Sequence, residues 1–359
     1  MLTGQGRHGL LTYKKKSTLF VLFFLPAICS WHCVTGLWVS GSQRPNTSIS
    51  MQAGSRATID VERLWPALAG KQTSANDAAG KILRETWAAE IAREHPKLLV
   101  ENGDFTITRE VVDYADGETS LQGLYTKPQG ENVPEKIPGV IIAHTAVGSQ
   151  EDFVLWKLDS LAMLGYAAFA LDMFGTGRAL WDRPESVEAR CPLTEDRSRM
   201  QARAMAALMT LRGLPGVDPD RIAAIGYCFG GMTVLDLARM GAPPGLRAVC
   251  SLHGDVAPIT PSARGDVAAQ ETPIRPKILA LHAEGDPFVT GEEVEAMREE
   301  FRRRGSQPEV VKYGGDARHA FTRPEKIQDV DKEAGLFYDE QADKDSWCRV
   351  KDLLRKELG

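Results

Sequence analysis

"RIAAIGYCFGGMTVLDLARMGA", residues 221–242, runs from a short apolar segment through a cluster of glycines into a helical pattern, with one cysteine at the junction. An apolar run bounded in this way predicts a buried parallel strand followed by its crossover helix. The same alternation extends along the chain. Short apolar runs at 139–144, 166–172, 246–254, 277–286 and 309–315 are separated by helical stretches such as "DFVLWKLDSLAMLG", "SRMQARAMAALMTLRGL" and "GEEVEAMREEFRRRG". A last helical pattern covers 341–358. Upstream, "DFTITREVVDYADGETSLQGLYTKP" (104–128) alternates apolar and polar residues across an Asp-Gly turn, a hairpin signature. A short antiparallel start followed by βα units predicts one mostly parallel, doubly wound α/β domain. In such sheets the active site lies at the carboxyl ends of the strands.

Charged residues make up 25% and hydrophobic residues 43% of the 359 residues, an ordinary globular balance. The net charge of −5 and the lack of any nucleic-acid-reading motif argue against DNA or RNA as a partner. The six cysteines (Cys29, Cys33, Cys191, Cys228, Cys250, Cys348) are scattered without metal-ligand spacing, so neither a disulfide framework nor a zinc site is expected. Residues 1–59 read as a targeting leader and 60–359 as the functional domain. Lys14, Lys15 and Lys16 precede an apolar stretch from Leu19 to Ile28, with the small Ala27 and Ser30 near a cut, which is the layout of a signal peptide. The uncharged run to Ser40 also suits an uncleaved membrane anchor. No Asp or Glu occurs before Asp60, and "SQRPNTSISMQAGSRATI" has transit-peptide composition, so the two segments are similar to the bipartite leaders of algal complex plastids. Entry into the secretory pathway is the expectation, with a plastid destination or membrane anchoring as alternatives. After the leader, "AAGKILRETWAAEIAREH" (78–95) predicts an amphipathic helix.

Gly226-Tyr227-Cys228-Phe229-Gly230 is a G-x-C-x-G sequence between a predicted strand and a predicted helix, the context of a nucleophile elbow. Glycines flank such a turn because strand and helix meet there too closely for side chains. The helix beginning near Gly230 would aim its positive end at Cys228 and lower the thiol pKa. The Phe229 N–H would face a developing oxyanion. A packed cysteine without chemistry is the competing reading. A cysteine nucleophile needs a base, and the base needs an orienting carboxylate. Asp286, in the turn after the run ending at 286, and His319, in the Gly-Gly loop after 309–315, supply both in the chain order of elbow hydrolases. His253 and His282 lie in apolar runs and read as satisfied core residues, His95 has no partner in view, and His144 ends the 139–144 run at the active edge but follows the wrong kind of element for the triad base. Asp255 and Asp316 also sit in strand-end loops and compete with Asp286.

The elbow "GYCFGG", "LHAEGDPFV" around the acid and "GGDARHAFTRPE" around the histidine together resemble the dienelactone hydrolase family, as do "LGYAAFALDMFGTG" and "VDPDRIAAIGYCFGG". The resemblance spans residues 105–357. It implies a single α/β-hydrolase domain, a Cys228–His319–Asp286 triad and a second oxyanion donor at the Ala146 N–H. The founding enzymes bind a substrate carboxylate with an arginine at the position of Arg323. They also carry a glutamate that switches on the thiol, where this chain has Thr145 with no carboxylate adjoining it. A second substrate-binding arginine of those enzymes has no clean match, Thr176 falling near it and Arg178 two residues on. The segment "RALWDRPESVEARCPLTEDRS" (178–198) is expected to cover the pocket, with Trp181 as a lining residue. The expected activity is hydrolysis of a small ester or lactone without a cofactor. A short-chain carboxylesterase or thioesterase of other specificity is the alternative, as is an inactive scaffold that binds a ligand or partner.

Overall fold

A computed structural model describes residues 49–51 and 105–359, except 176, 178, 182 and 260–271. The rest of the leader, the predicted helix at 78–95, Thr176 and Arg178 lie outside the described residues. Among the described residues nine strands form one sheet in the order β1-β2-β3-β5-β4-β6-β7-β8-β9. The hairpin at its start is longer than two short strands: β2 (Phe105–Asp116) and β3 (Thr119–Gln129) pair antiparallel from Thr106–Gln129 down to Asp116–Thr119. Gly117 (φ +57°) makes the tight turn, where a side chain would strain the backbone. Ile49–Met51, assigned above to the leader, form the edge strand β1 on β2, so the sheet reaches further upstream than the 59/60 boundary. β3 then pairs antiparallel with β5 (Ala167–Ala170), and from there the sheet is parallel: β5, β4 (Ile137–Ala143), β6 (Val217–Tyr227), β7 (Leu246–Leu252), β8 (Lys277–Ala283) and β9 (Glu309–Tyr313). The mixed, mostly parallel α/β sheet expected from sequence is the observed one.

The central strands have no polar face because helices cover both sides. In β4, Val140 and Ile142 face one core while Ile137, Ile141 and Ala143 face the other. In β6, Ala223, Ile225 and Tyr227 alternate with Ile222 and Ala224 in the same way. α1 (Asp152–Met163) and the C-terminal helix α7 (Glu340–Leu358) close the first face with Phe153, Leu158, Leu161, Trp347, Val350 and Leu354. α3 (Arg197–Gly213), α4 (Phe229–Arg239) and α5 (Gly291–Arg303) close the second with Met200, Leu208, Leu211, Leu235, Val294 and Phe301. Each fully buried side chain of this size contributes roughly 1.5–3 kcal/mol relative to exposure. α2 (Arg183–Glu195) and the short α6 (Asp329–Glu333) lie in the long connections after β5 and β9. Both connections leave from the carboxyl edge of the sheet, where Cys228, Asp286 and His319 also lie.

Candidate active site

Cys228 stands between β6 and α4 with φ +57° and ψ −118°, a conformation that a residue with a side chain rarely adopts. The turn is over-determined by its neighbours. A Cβ on Gly226 would lie 2.0 Å from the Gly230 carbonyl oxygen, and one on Gly230 would lie 2.0 Å from that of Ala143. Only glycine permits the close approach of β6, α4 and β4. The Cys228 N–H extends the sheet ladder to the Leu252 carbonyl (3.1 Å), and the Cys228 carbonyl accepts from Gly231 N–H (2.9 Å) in the first turn of α4. The side chain is thereby fixed at the helix N-terminus.

His319 Nε2 lies 3.0 Å from Cys228 Sγ, and His319 Nδ1 donates to Asp286 Oδ2 at 2.8 Å. The other Asp286 oxygen accepts the Phe288 N–H (2.8 Å), which fixes the carboxylate in its turn. The three residues come from the ends of three different strands, and Asp286 and His319 are buried. Burial alone would raise the Cys228 thiol pKa. The charge and hydrogen bond of His319, the Phe229 N–H and the charge of Arg190 outweigh it and hold the thiol below its ordinary value. Burial also opposes a charge on His319, yet Cys228 and Asp286 raise its pKa to about 10. The arrangement shifts the pair toward thiolate and imidazolium relative to the free side chains.

The remaining predicted residues divide into two groups. Phe229 and Ala146 pack in the core cluster that adjoins Cys228. The Ala146 carbonyl accepts from the Ser186 hydroxyl of α2, so the segment 178–198 does reach the site, through a helix. Trp181, just before that helix, is 42% exposed. Arg323 and Thr145 belong to a buried ion cluster. Arg323 donates to Glu151, to Glu325 (2.5 Å) and to the Thr145 hydroxyl (3.4 Å), and the Thr145 hydroxyl donates to Glu151 (2.5 Å). Arg323 is thus paired with carboxylates of the chain itself. The expectation that no carboxylate serves Thr145 also changes. Glu151, six residues on at the start of α1, reaches back to it, because sequence distance does not measure distance across a tight strand–helix loop.

The competing residues are occupied elsewhere. His144 Nδ1 donates to the Thr145 carbonyl (2.6 Å) and its Nε2 accepts from Met173 N–H (3.1 Å), which ties the ends of β4 and β5 together. Asp255 accepts from the Ala257 N–H (2.9 Å), and Asp316 pairs with Lys332 (3.1 Å). His282 is buried at the end of β8. His253 departs from its reading as a satisfied core residue: its Nε2 meets Thr322 Oγ1 at 2.8 Å, but its Nδ1 is buried without a partner among the described residues. Among the described residues no three His, Cys, Asp or Glu side chains are grouped to hold a metal ion. Sequence reasoning passed over Glu151, Glu325 and the buried Lys157, which lies 3.6 Å from the Trp156 ring centroid and 4.6 Å from that of Trp347. A lysine directly after the apolar run "FVLW" (153–156) was the available signal.

Residues 121–358 match the dienelactone hydrolase family. An uncharacterized protein of Caenorhabditis elegans is 34% identical over 165 residues, which is 46% of this chain and 98% of that protein. The crystal structure of a dienelactone hydrolase-like promiscuous phosphotriesterase from metagenomic libraries is 34% identical, with a TM-score of 0.63 over 70% of this chain and 99% of its own. An acylaminoacyl peptidase of Pyrococcus horikoshii shares the fold alone, at 13% identity and a TM-score of 0.52 over 70% of this chain and 42% of its own.

Proposed function

We propose that this chain, which belongs to the dienelactone hydrolase family, cleaves a small ester or lactone through a Cys228–His319–Asp286 triad. The observation that carries the proposal is the line from Cys228 Sγ to His319 Nε2 (3.0 Å) and from His319 Nδ1 to Asp286 (2.8 Å), with the thiol held in a strained elbow. The Cys228 thiolate attacks the carbonyl carbon, and the Phe229 and Ala146 N–H groups receive the oxyanion. As the tetrahedral species collapses, the carbon–oxygen bond to the leaving group breaks and His319 gives that oxygen its proton. An acyl-thioester on Cys228 remains. His319, oriented by Asp286, then takes a proton from water, and the hydroxide attacks the thioester. Collapse releases the carboxylic acid and returns the thiolate beside a protonated His319. Nucleophile, base and electrophilic stabilisation all come from the chain itself.

The test compares the full chain with Cys228→Ala on activated esters, enol-lactones, thioesters and a phosphotriester. Loss of hydrolysis by at least about 10³-fold in the variant is expected, together with a trapped acyl group on Cys228 of the wild type by mass spectrometry. Hydrolysis that persists in Cys228→Ala would move the chemistry to another residue. The best member of the panel assigns the substrate class. Residues 1–59 are proposed, from their composition alone, to direct the chain into the secretory pathway, and a fluorescent fusion of that segment followed by microscopy tests this.

A further inference from the structure

His253 lies against the triad with features that packing alone does not require. It follows β7 with φ +38°, a left-handed conformation unusual for a residue with a side chain. Its ring is buried, packed edge-to-face on His319 (5.2 Å, 62°) and on Phe321 (5.2 Å, 82°). Phe288 covers His319 from another direction at 5.2 Å and 83°. An apolar ring would fill this space without leaving a buried nitrogen unpartnered, as His253 Nδ1 is among the described residues. The nitrogen that is used, Nε2, meets Thr322 Oγ1 at 2.8 Å. Thr322 is fully buried three residues beyond His319, and the intervening Ala320 is itself left-handed at φ +64°. A strained loop that carries the base is therefore tied, at Thr322, to the end of β7.

We propose that His253 is a positioning residue: through Thr322 it pins the strained 319–323 loop, and with Phe288 it clamps the His319 ring so that Nε2 stays on Cys228. The role rests on the triad reading of the preceding section. His253 is suited to it because it stays neutral. Burial and the charges of His319, Arg323 and Lys157 disfavour its protonation and outweigh the pull of its own backbone in the other direction, so it sets no like charge beside the imidazolium. The titratable groups facing His319 are Cys228, Asp286, His253 and His282. Of these, Cys228 and Asp286 favour its charge directly, whereas His253 acts by holding the ring between them.

Full-chain His253→Phe and Thr322→Val break the same hydrogen bond from its two ends, while Thr322→Ser keeps the hydroxyl. The measurements are kcat and KM on p-nitrophenyl acetate, and the pH dependence of Cys228 alkylation by iodoacetamide. His253→Phe and Thr322→Val are each expected to lower kcat about tenfold with little change in KM. Both should move the alkylation midpoint to higher pH. The double variant should be no worse than either single one, because both remove one interaction, and Thr322→Ser should restore both readouts. Variants that fold as the wild type and keep its kcat and alkylation midpoint overturn the proposal, as does a Thr322→Ser that behaves like Thr322→Val. If His253→Phe does not fold, Thr322→Val and Thr322→Ser decide. A wild-type Cys228 that alkylates only in the ordinary thiol range, or hydrolysis that survives Cys228→Ala, overturns the triad and this role with it. Those results are separate from a wild-type-like His253→Phe acting on a reactive thiol.

Discussion

The loop from His319 to Glu325 takes part in two buried polar clusters, and they are built on opposite principles. At its start, His319 joins Cys228 and Asp286 in a line that the backbone imposes. Glycines at 226 and 230 leave no room for side chains, and Cys228 is held at φ +57°. At its end, Arg323 joins Glu151, Glu325 and Thr145 in a cluster where one guanidinium is shared between two buried carboxylates. The first cluster holds the proposed nucleophile and its base one hydrogen bond apart, with the strain of the turn at Cys228. The second holds no reactive atom and is costly to disturb, because any unpaired charge would stay buried. On the proposed reading one is arranged for chemistry and the other for the position of the loop on which that chemistry depends.

The largest effect that would break this contrast falls on the first cluster. Asp286→Asn keeps the shape but holds His319 in the wrong tautomer, and the expected loss in kcat is on the order of 10³–10⁴. A loss of only a few fold would mean that Asp286 does not orient the base. The same cluster sets a pH limit. His319, raised to about 10, stabilises the fold fully below its unfolded value of 6.5 and loses that contribution as pH rises through about 10. Because the charge and hydrogen bond of His319 lower the Cys228 thiol pKa, iodoacetamide should alkylate Cys228 at lower pH in the wild type than in Asp286→Asn.

On the second cluster the contrast predicts a stability effect first. Arg323→Met leaves Glu151 and Glu325 buried beside each other, and the expected cost is about 3–5 kcal/mol in denaturant unfolding. Combining Arg323→Met with Glu151→Gln and Glu325→Gln should recover much of that loss, since no charge is then left unpaired. If Arg323→Met instead unfolds like the wild type while an anionic substrate loses affinity, Arg323 is open to substrate after all, and the resemblance-based reading of it stands. Lys157, behind this cluster, sharpens the picture. Burial lowers its pKa to about 7, against the pull of Asp343 and Glu325. The native state then binds fewer protons than the unfolded chain between about pH 7 and 10.5, so the Lys157 contribution to stability rises with pH across that window. Lys157→Met should flatten that rise in a pH series of unfolding midpoints.

The same contrast explains what could be read from the sequence. The elbow was legible because steric exclusion selects one residue type: glycines at 226 and 230 have no substitute where strand and helix cross. Asp286 and His319 followed because strand ends present residues in chain order, and the alternation of apolar runs with helical stretches gave the parallel sheet. The ion cluster was not legible, since many acidic residues precede helices and Glu151 looks like ordinary helix-start charge. Its partner Arg323 lies 172 residues away. The resemblance assigned Arg323 to a substrate on position alone, whereas its occupancy depends on side chains from two other segments. The edge strand Ile49–Met51 was hidden for a different reason, because three residues carry too little pattern to outweigh a leader-like composition.

The smallest expected effect lies where the two clusters touch. The Thr145 hydroxyl donates to Glu151 and accepts from the Val147 N–H at 3.2 Å, and so it ties the ion cluster to the loop that carries Ala146. Thr145→Val keeps the volume and removes both bonds together with the one accepted from Arg323. The expected cost is about 1–2 kcal/mol of stability, since the Val147 N–H and one Glu151 oxygen each lose a partner. If the ion cluster serves only to hold the loop, kcat should fall a few fold through the Ala146 N–H while the pH dependence of Cys228 alkylation stays where it was. A shift of that alkylation profile toward ordinary thiol values would show instead that Glu151, acting through Thr145, takes part in ionising Cys228. In that case the cluster would be part of the chemistry, and the division between the two would fail at this residue.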